Sequence, residues 1–305
     1  MLVVLMASIL MVGCSRQPQS EQFALSARPV LSVQPVQLTQ DLQEGDYSYS
    51  VISGKAKIAK YTGKGGTVTI PDTLGGFPVT GIGDRAFYNC TGLTSIIIPQ
   101  GVTYIGVDAF DRCINLNNIR IPQGIPYISY GVFAHCAGLT HIIIPRGVTC
   151  IEDWAFYDCS GLTAINIPKG VTIIGNDAFS SCTHLTTINI PEGVKSITDG
   201  TFSGCTSLIS VRIPRGVTTI GNNAFSRCTR LSTIIIPKEV TNIGYGGFAN
   251  CSGLRSIRFN SAKTTITYDD PGAIPTATKI IGYAPSTANT YAKKYNRKFK
   301  TIKEV

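Results

Sequence analysis

A chain of 305 residues in which 43% are apolar and only 15% charged is too hydrophobic for a disordered polymer and could hold one large domain or two ordinary ones. Its formal net charge of +9 suits an anionic partner, although such a balance governs solubility and association before it governs fold.

The chain opens with "MLVVLMASILMVGCSRQ", an apolar run shorter than a spanning helix and of the length of a signal-peptide core. Residues 1–13 are read as a lipoprotein-type signal. Met11-Val12-Gly13-Cys14 resembles a bacterial lipobox, in which Cys14 becomes the lipidated first residue; Met stands where Leu is usual, and no Lys or Arg precedes the run. An ordinary secretory signal and an uncleaved anchor are the competing readings. Residues 14–45, rich in Gln, Ser and Pro with isolated apolar residues, read as a tether without a packed core. Residues 46–86 begin with polar and apolar alternation around Gly54, which predicts a β-hairpin cap. A first partial repeat follows: Ile70-Pro71, a five-residue insertion, then Val79, Ile82 and Phe87.

Over residues 87–260 the chain is periodic. Phe recurs every 23 residues from Phe87 to Phe248, and Cys follows three positions behind each, from Cys90 to Cys251. A fixed period in this range predicts a solenoid, one elongated body in which each turn stacks on its neighbour. Within a unit, Ile96 and Ile98 point to one face of a strand and Ile97 to the other. Pro99 ends the strand, Gly101 is expected to take positive φ in the following turn, and Val102 and Ile105 feed a second, shorter extended segment. Gly106 is expected to turn the next corner before Ala109-Phe110 closes the coil. The Phe side chain fills an interior slot of fixed size. Equivalent cysteines on stacked turns point the same way and not at each other, so the column reads as small interior residues whose thiols are weak donors, without disulfides or zinc. Cys150 lies outside the column and reads as a surface thiol. Residues 261–305 form a C-terminal cap: Ser286 is a helix N-cap, and Ala288, Tyr291, Ala292 and Tyr295 make one apolar face.

The unit with Ile-Pro-x-Gly-Val and Ala-Phe-x-x-Cys in phase, the lead-in "YTGKGGTVTIPDTLGGFPVTGIGDRAF" and the ending "IIGYAPSTANTYAKKYNRKF" closely resemble the leucine-rich repeats of BspA-like bacterial surface proteins (the Treponema pallidum type). The resemblance implies a leucine-rich repeat right-handed coil with a parallel β-sheet. It also implies export, attachment to the cell surface, and adhesion to host proteins or other cells in place of catalysis. The family has no fixed binding residues to carry over.

Motifs for chemistry are missing from the sequence. No nucleophile stands in a Gly-x-Ser-x-Gly elbow, "GKGGT" lacks the upstream Gly and Lys-Thr step of a phosphate loop, and "GIGDRA" lacks the third glycine of a dinucleotide fingerprint. No enzyme activity, cofactor or metal is expected, and His141 falls on an outward strand position. What varies is the outer wall. Its middle column reads Ile97, Arg120, Ile143, Asn166, Asn189, Arg212, Ile235 and Arg258, and beside it, after each Pro, stand Arg146, Lys169, Arg215 and Lys238 among Gln100, Gln123 and Glu192. This mixed apolar and basic strip is the candidate binding face, with an extracellular or envelope protein or an anionic glycan as partner. The competing readings are an outer face that is merely solvated and a structural spacer of the envelope with no dedicated ligand. Lys293, Lys294, Arg297, Lys298, Lys300 and Lys303 form a second basic run, read as cations near a helix C-terminus. Nucleic acid is not expected, because stacking aromatics do not interleave with the cations. The expected state is a monomer in the bacterial envelope, lipid-anchored at the outer surface.

Overall fold

The structure, a computed structural model, describes residues 41–267 and 272–302. The signal and most of the tether, including Cys14, lie outside the described residues, as does Lys303.

The described chain is a solenoid of parallel β-strands advancing by one 23-residue unit per rung. Gly66–Thr69, Leu93–Ile97, Asn118–Arg120, His141–Ile143, Ala164–Asn166, Thr187–Asn189 and Ser210–Arg212 pair in that order as one parallel sheet. Thr233–Ile236, Ser256–Phe259, Lys279–Gly282 and Phe299–Thr301 form a second run in the same sense. On another side, two-residue strands such as Tyr127–Ile128, Cys150–Ile151 and Ile173–Ile174 stack in parallel. They are the short extended segments that Val102 and Ile105 announced.

The interior follows from alternation on the main strand. Ile96 and Ile98 are buried while Ile97 stays 54% exposed. Leu93, Val102, Ile105, Ala109 and Phe110 complete the same rung's share of the core. The rings of Phe87 to Phe248 stack face over face, with centroids from 5.1 Å for Phe87–Phe110 to 5.8 Å for Phe179–Phe202. Tyr61 fills the Phe slot of the first rung, 4.9 Å below Phe87. Full burial of such a ring stabilises by roughly 1.5–3 kcal/mol, and each stacked pair adds about 0.5–1.5 kcal/mol.

The cysteine column does a specific job. Each column thiol after Cys90 donates to the carbonyl of the Phe one rung back: Cys113 Sγ to Phe87 O at 3.1 Å, Cys159 Sγ to Phe133 O at 3.0 Å, Cys251 Sγ to Phe225 O at 2.9 Å. The same carbonyl accepts from the backbone N–H three residues on in its own rung, as Phe110 O does from Cys113 N at 3.1 Å. One interior carbonyl thus has both lone pairs satisfied, which a buried acceptor requires. The cysteines from Cys90 to Cys251 are free thiols, all buried except the half-buried Cys90 of the first rung. Cys150 departs from expectation. It is only 5% exposed, so it is not a surface thiol.

One glycine expectation is corrected. Gly101 does not adopt positive φ. The turn closes with Val102 N donating to Pro99 O at 3.1 Å, in a backbone conformation open to any residue, and Glu239 occupies the equivalent place in a later rung. Gly106 also lacks positive φ; it is small because a Cβ there would collide with Asp84, whose backbone N would lie only 2.6 Å away. The left-handed corners instead flank Phe two residues before and two after, at Asp108 (φ 52°) and Arg112 (φ 62°) around Phe110. In six of the eight rungs the residue before is Asp, Asn or Gly, the types that reach this region at least cost.

The ends are closed by non-repeating elements. Leu42–Glu44 pairs antiparallel with Tyr47–Ile52, which pairs antiparallel with Lys55–Tyr61 before the parallel stack begins. The five-residue insertion folds as its own hairpin, Thr73–Leu74 against Phe77–Ile82. At the other end the helix Thr287–Lys294 is capped by Ser286, whose hydroxyl accepts from Asn289 N at 3.0 Å, and buries Ala288, Tyr291 and Ala292. The chain then adds a strand, Phe299–Thr301, parallel to Lys279–Gly282. Lys300 therefore sits on this strand and not near the helix terminus.

Candidate binding face

The parallel register places the outward column residue by residue. Ile97 pairs with Arg120, Arg120 with Ile143, Ile143 with Asn166, Asn166 with Asn189, and Asn189 with Arg212. Beyond a break, Ile235 pairs with Arg258. The break lies between Ser210–Arg212 and Thr233–Ile236, where Val211 replaces the Ile of other rungs and is only half-buried. All eight column residues are exposed, Ile143 at 74% and Ile235 at 55%. Arg146, Lys169, Arg215 and Lys238, each just past its Pro, are exposed as well. Side chains at equivalent positions on adjacent rungs stand about 4.8 Å apart. Apolar tips and guanidinium groups therefore lie within reach of one partner surface.

The structure extends this column past the residues named from sequence. Thr69 pairs with Ile97 at one end, and at the other Arg258 pairs with Ile281 and Ile281 with Lys300. Thr69 precedes the Ile70-Pro71 of the first partial repeat; at the other end the repeat signature fails, so only the pairing reveals Ile281 and Lys300. A second outward column lies two residues earlier on each strand and includes Asn118, His141, Ala164 and Thr187. Period-two alternation could have found it.

The cations are not equivalent. Arg212 Nη1 donates to Glu192 Oε1 at 2.6 Å, with both side chains more than half exposed, a pair worth about 0–1 kcal/mol. Arg258 Nε donates to Asn260 Oδ1 at 3.1 Å. The Arg120 side chain makes no hydrogen bond or ion pair among the described residues. A partner carboxylate meets the least competition there.

Histidines are used locally. His135 Nδ1 lies 2.8 Å from Asp111 Oδ1, and His184 Nδ1 lies 2.7 Å from Ser160 O. Among the described residues no cluster of His, Cys, Asp or Glu has the makings of a metal site, and no helix is long and apolar enough to cross a membrane.

The family model for the BspA type leucine rich repeat region matches residues 80–205 and 151–269. Among solved structures, the chain is similar to the Treponema pallidum leucine rich repeat protein (TpLRR), with 32% identity, 63% of this chain and 91% of that one covered, and a TM-score of 0.58. It is also similar to a leucine-rich repeat protein from Bacteroides ovatus, with 22% identity, 87% and 100% coverage and a TM-score of 0.56, a likeness of fold. No curated protein matches the sequence. The ladder of Ile, Phe and Cys, the matched repeats and these likenesses agree: the chain belongs to the BspA-type leucine-rich repeat family.

Proposed function

We propose that the protein is an exported, non-catalytic binding protein of the bacterial envelope that adheres to an extracellular protein or anionic glycan through the outward face of its parallel sheet. Leucine-rich repeat scaffolds of this family serve as binding modules, and an extended regular face is the surface repeat proteins offer to partners. The observation that carries the reading is the register itself. Ile143 stands 74% exposed beside Arg120 on the paired strand. Single exposed apolar residues are ordinary, but here they recur with cations along one paired column. Among the post-proline residues from Gln100 to Lys238 only Glu192 carries negative charge, so this part of the strip complements an acidic surface. Lipidation at Cys14 would hold the molecule at the membrane, since acyl burial contributes about 0.8 kcal/mol per methylene.

The test uses heparin and polyglutamate columns. The full chain should elute later in salt than a variant in which Arg120, Arg212 and Arg258 are all Ser. A charge-matched control with Lys293, Lys294 and Lys298 changed to Ser should stay closer to the parent, and contacts to exposed cations weaken as ionic strength rises. Equal elution of the two triple variants would dismiss the strip and favour an envelope spacer. Protease shaving of intact cells, with and without Cys14→Ala, tests exposure and anchoring.

A further inference from the structure

A second surface runs along the corner that holds the left-handed residues, away from the strip. Trp154 is the single Trp of the chain and stands there at φ 61°, 37% exposed. Its equivalents in the neighbouring rungs are Asp108, Gly131, Asp177, Gly200, Asn223 and Gly246. A bulky residue in that conformation is strained, and packing does not require one here, because apart from Arg85 in the first rung the other rungs close with small residues. The indole stacks on Tyr157 with centroids 4.4 Å apart, and Tyr157 meets the edge of His135 at 5.3 Å. The result is an aromatic platform at the surface.

The rungs that follow bear an open polar cleft of about 610 Å³, with Asp177, Ser203, Asn223 and Arg227 among its walls. Its framework is a fixed ladder. Asp199 N donates to Asn176 Oδ1 at 3.2 Å, Asn222 N to Asp199 Oδ1 at 2.7 Å, and Tyr245 N to Asn222 Oδ1 at 2.9 Å. The far wall of the cleft is Tyr245, 61% exposed. Trp154 and Tyr245 stand four rungs apart, about 19 Å at the strand spacing.

We propose that this corner binds an uncharged oligosaccharide lying along the stack, with sugar faces on the Trp154–Tyr157 platform and on Tyr245 and hydroxyls in the cleft between. The negative faces of aromatic rings attract the weakly positive C–H hydrogens of a pyranose. Fixed carboxylate, amide, hydroxyl and guanidinium groups supply the few polar contacts that orient a ligand. Asp177 and Asp199 outweigh Arg227 along the walls, so an anionic sugar is disfavoured. This site differs in face and charge from the cationic strip, and either can fail without the other.

Because the chain has one Trp, its emission reports on the platform directly. The full chain is titrated with dextran, mannan, xylan and galactan, with dextran sulfate as the charged arm, by affinity electrophoresis and fluorescence. At least one neutral polysaccharide should retard the chain and shift the emission. Tyr245→Ala and Trp154→Asn should each weaken that retardation roughly tenfold. Trp154→Asn should leave thermal unfolding unchanged or raised, since Asn suits the left-handed corner. The Arg120, Arg212 and Arg258 triple variant should bind the neutral polymer as before. The proposal is overturned if no neutral polymer retards the chain or moves the emission. Retardation by dextran sulfate alone, or retardation that survives both aromatic substitutions together, overturns it as well.

Discussion

Gly131 stands at φ 56°, where a Cβ would collide with the Asp108 carboxylate reaching up from the rung before. The same arrangement joins Asp177 to Gly200 and Asn223 to Gly246, so an Asx residue on one rung is accommodated by glycine on the next. Gly131→Ala should cost about 1–2 kcal/mol from the backbone conformation alone, with the collision adding to it. Gly101→Ala should stay within about 0.5 kcal/mol, because its turn is open to any residue. Urea midpoints of the two variants measure the contrast, and equal losses would refute this account of the corners. Both glycines look alike in the sequence. The inward Ile, Phe and Cys positions were legible from spacing, because burial acts identically on every rung. The sign of φ was not, because it depends on which carbonyl each turn must satisfy.

At the scale of the element, the unit is interchangeable because each rung contacts chiefly its neighbours and presents the same register to both. Excising residues 180–202 joins Phe179 to Ser203 and preserves the Phe and Cys columns. The shortened chain should fold with the same circular dichroism per residue and a modestly lower midpoint. Excising residues 180–201 leaves one residue too many in the joined rung and turns inward side chains outward in the strand that follows, since side chains alternate along it. That variant should aggregate or lose its cooperative transition, and equal behaviour of the two would contradict stacking in fixed register. The C-terminal helix was legible from Ser286 and the spacing of Ala288, Tyr291 and Ala292. The strand Phe299–Thr301 was not. Its short, basic sequence lacks apolar alternation, and only the open edge of Lys279–Gly282 makes it a strand.

Over the whole molecule the thiol column becomes a single electrostatic property. Burial pushes Cys113 and Cys205 up from 9.0 to about 12, and raises Cys136 and Cys182 well above the ordinary value. Above pH 9.0 the unfolded chain releases these protons while the folded chain holds them up to about 12. Stability is therefore complete below the unfolded value and falls as pH rises toward the folded one. A shift of that size amounts to on the order of 4 kcal/mol per thiol, lost in full only when pH reaches the folded value of about 12. Urea midpoints should be flat below pH 9.0 with respect to these groups and fall steadily above it. Changing Cys136 and Cys182 together to Ala should flatten the fall; an unaltered slope would show that the thiols do not carry it.

The 23-residue period by itself determined the parallel stack, the identity of the core and the direction of every repeated side chain, because a repeated environment selects the same residue on each turn. Only the tertiary structure decided which outward residues are neighbours, that Arg212 is engaged by Glu192, that the sheet is interrupted beside Val211, and that Tyr245 walls a polar cleft. Those facts arise between rungs, from contacts across 20 or more positions, where no local pattern in the chain records them.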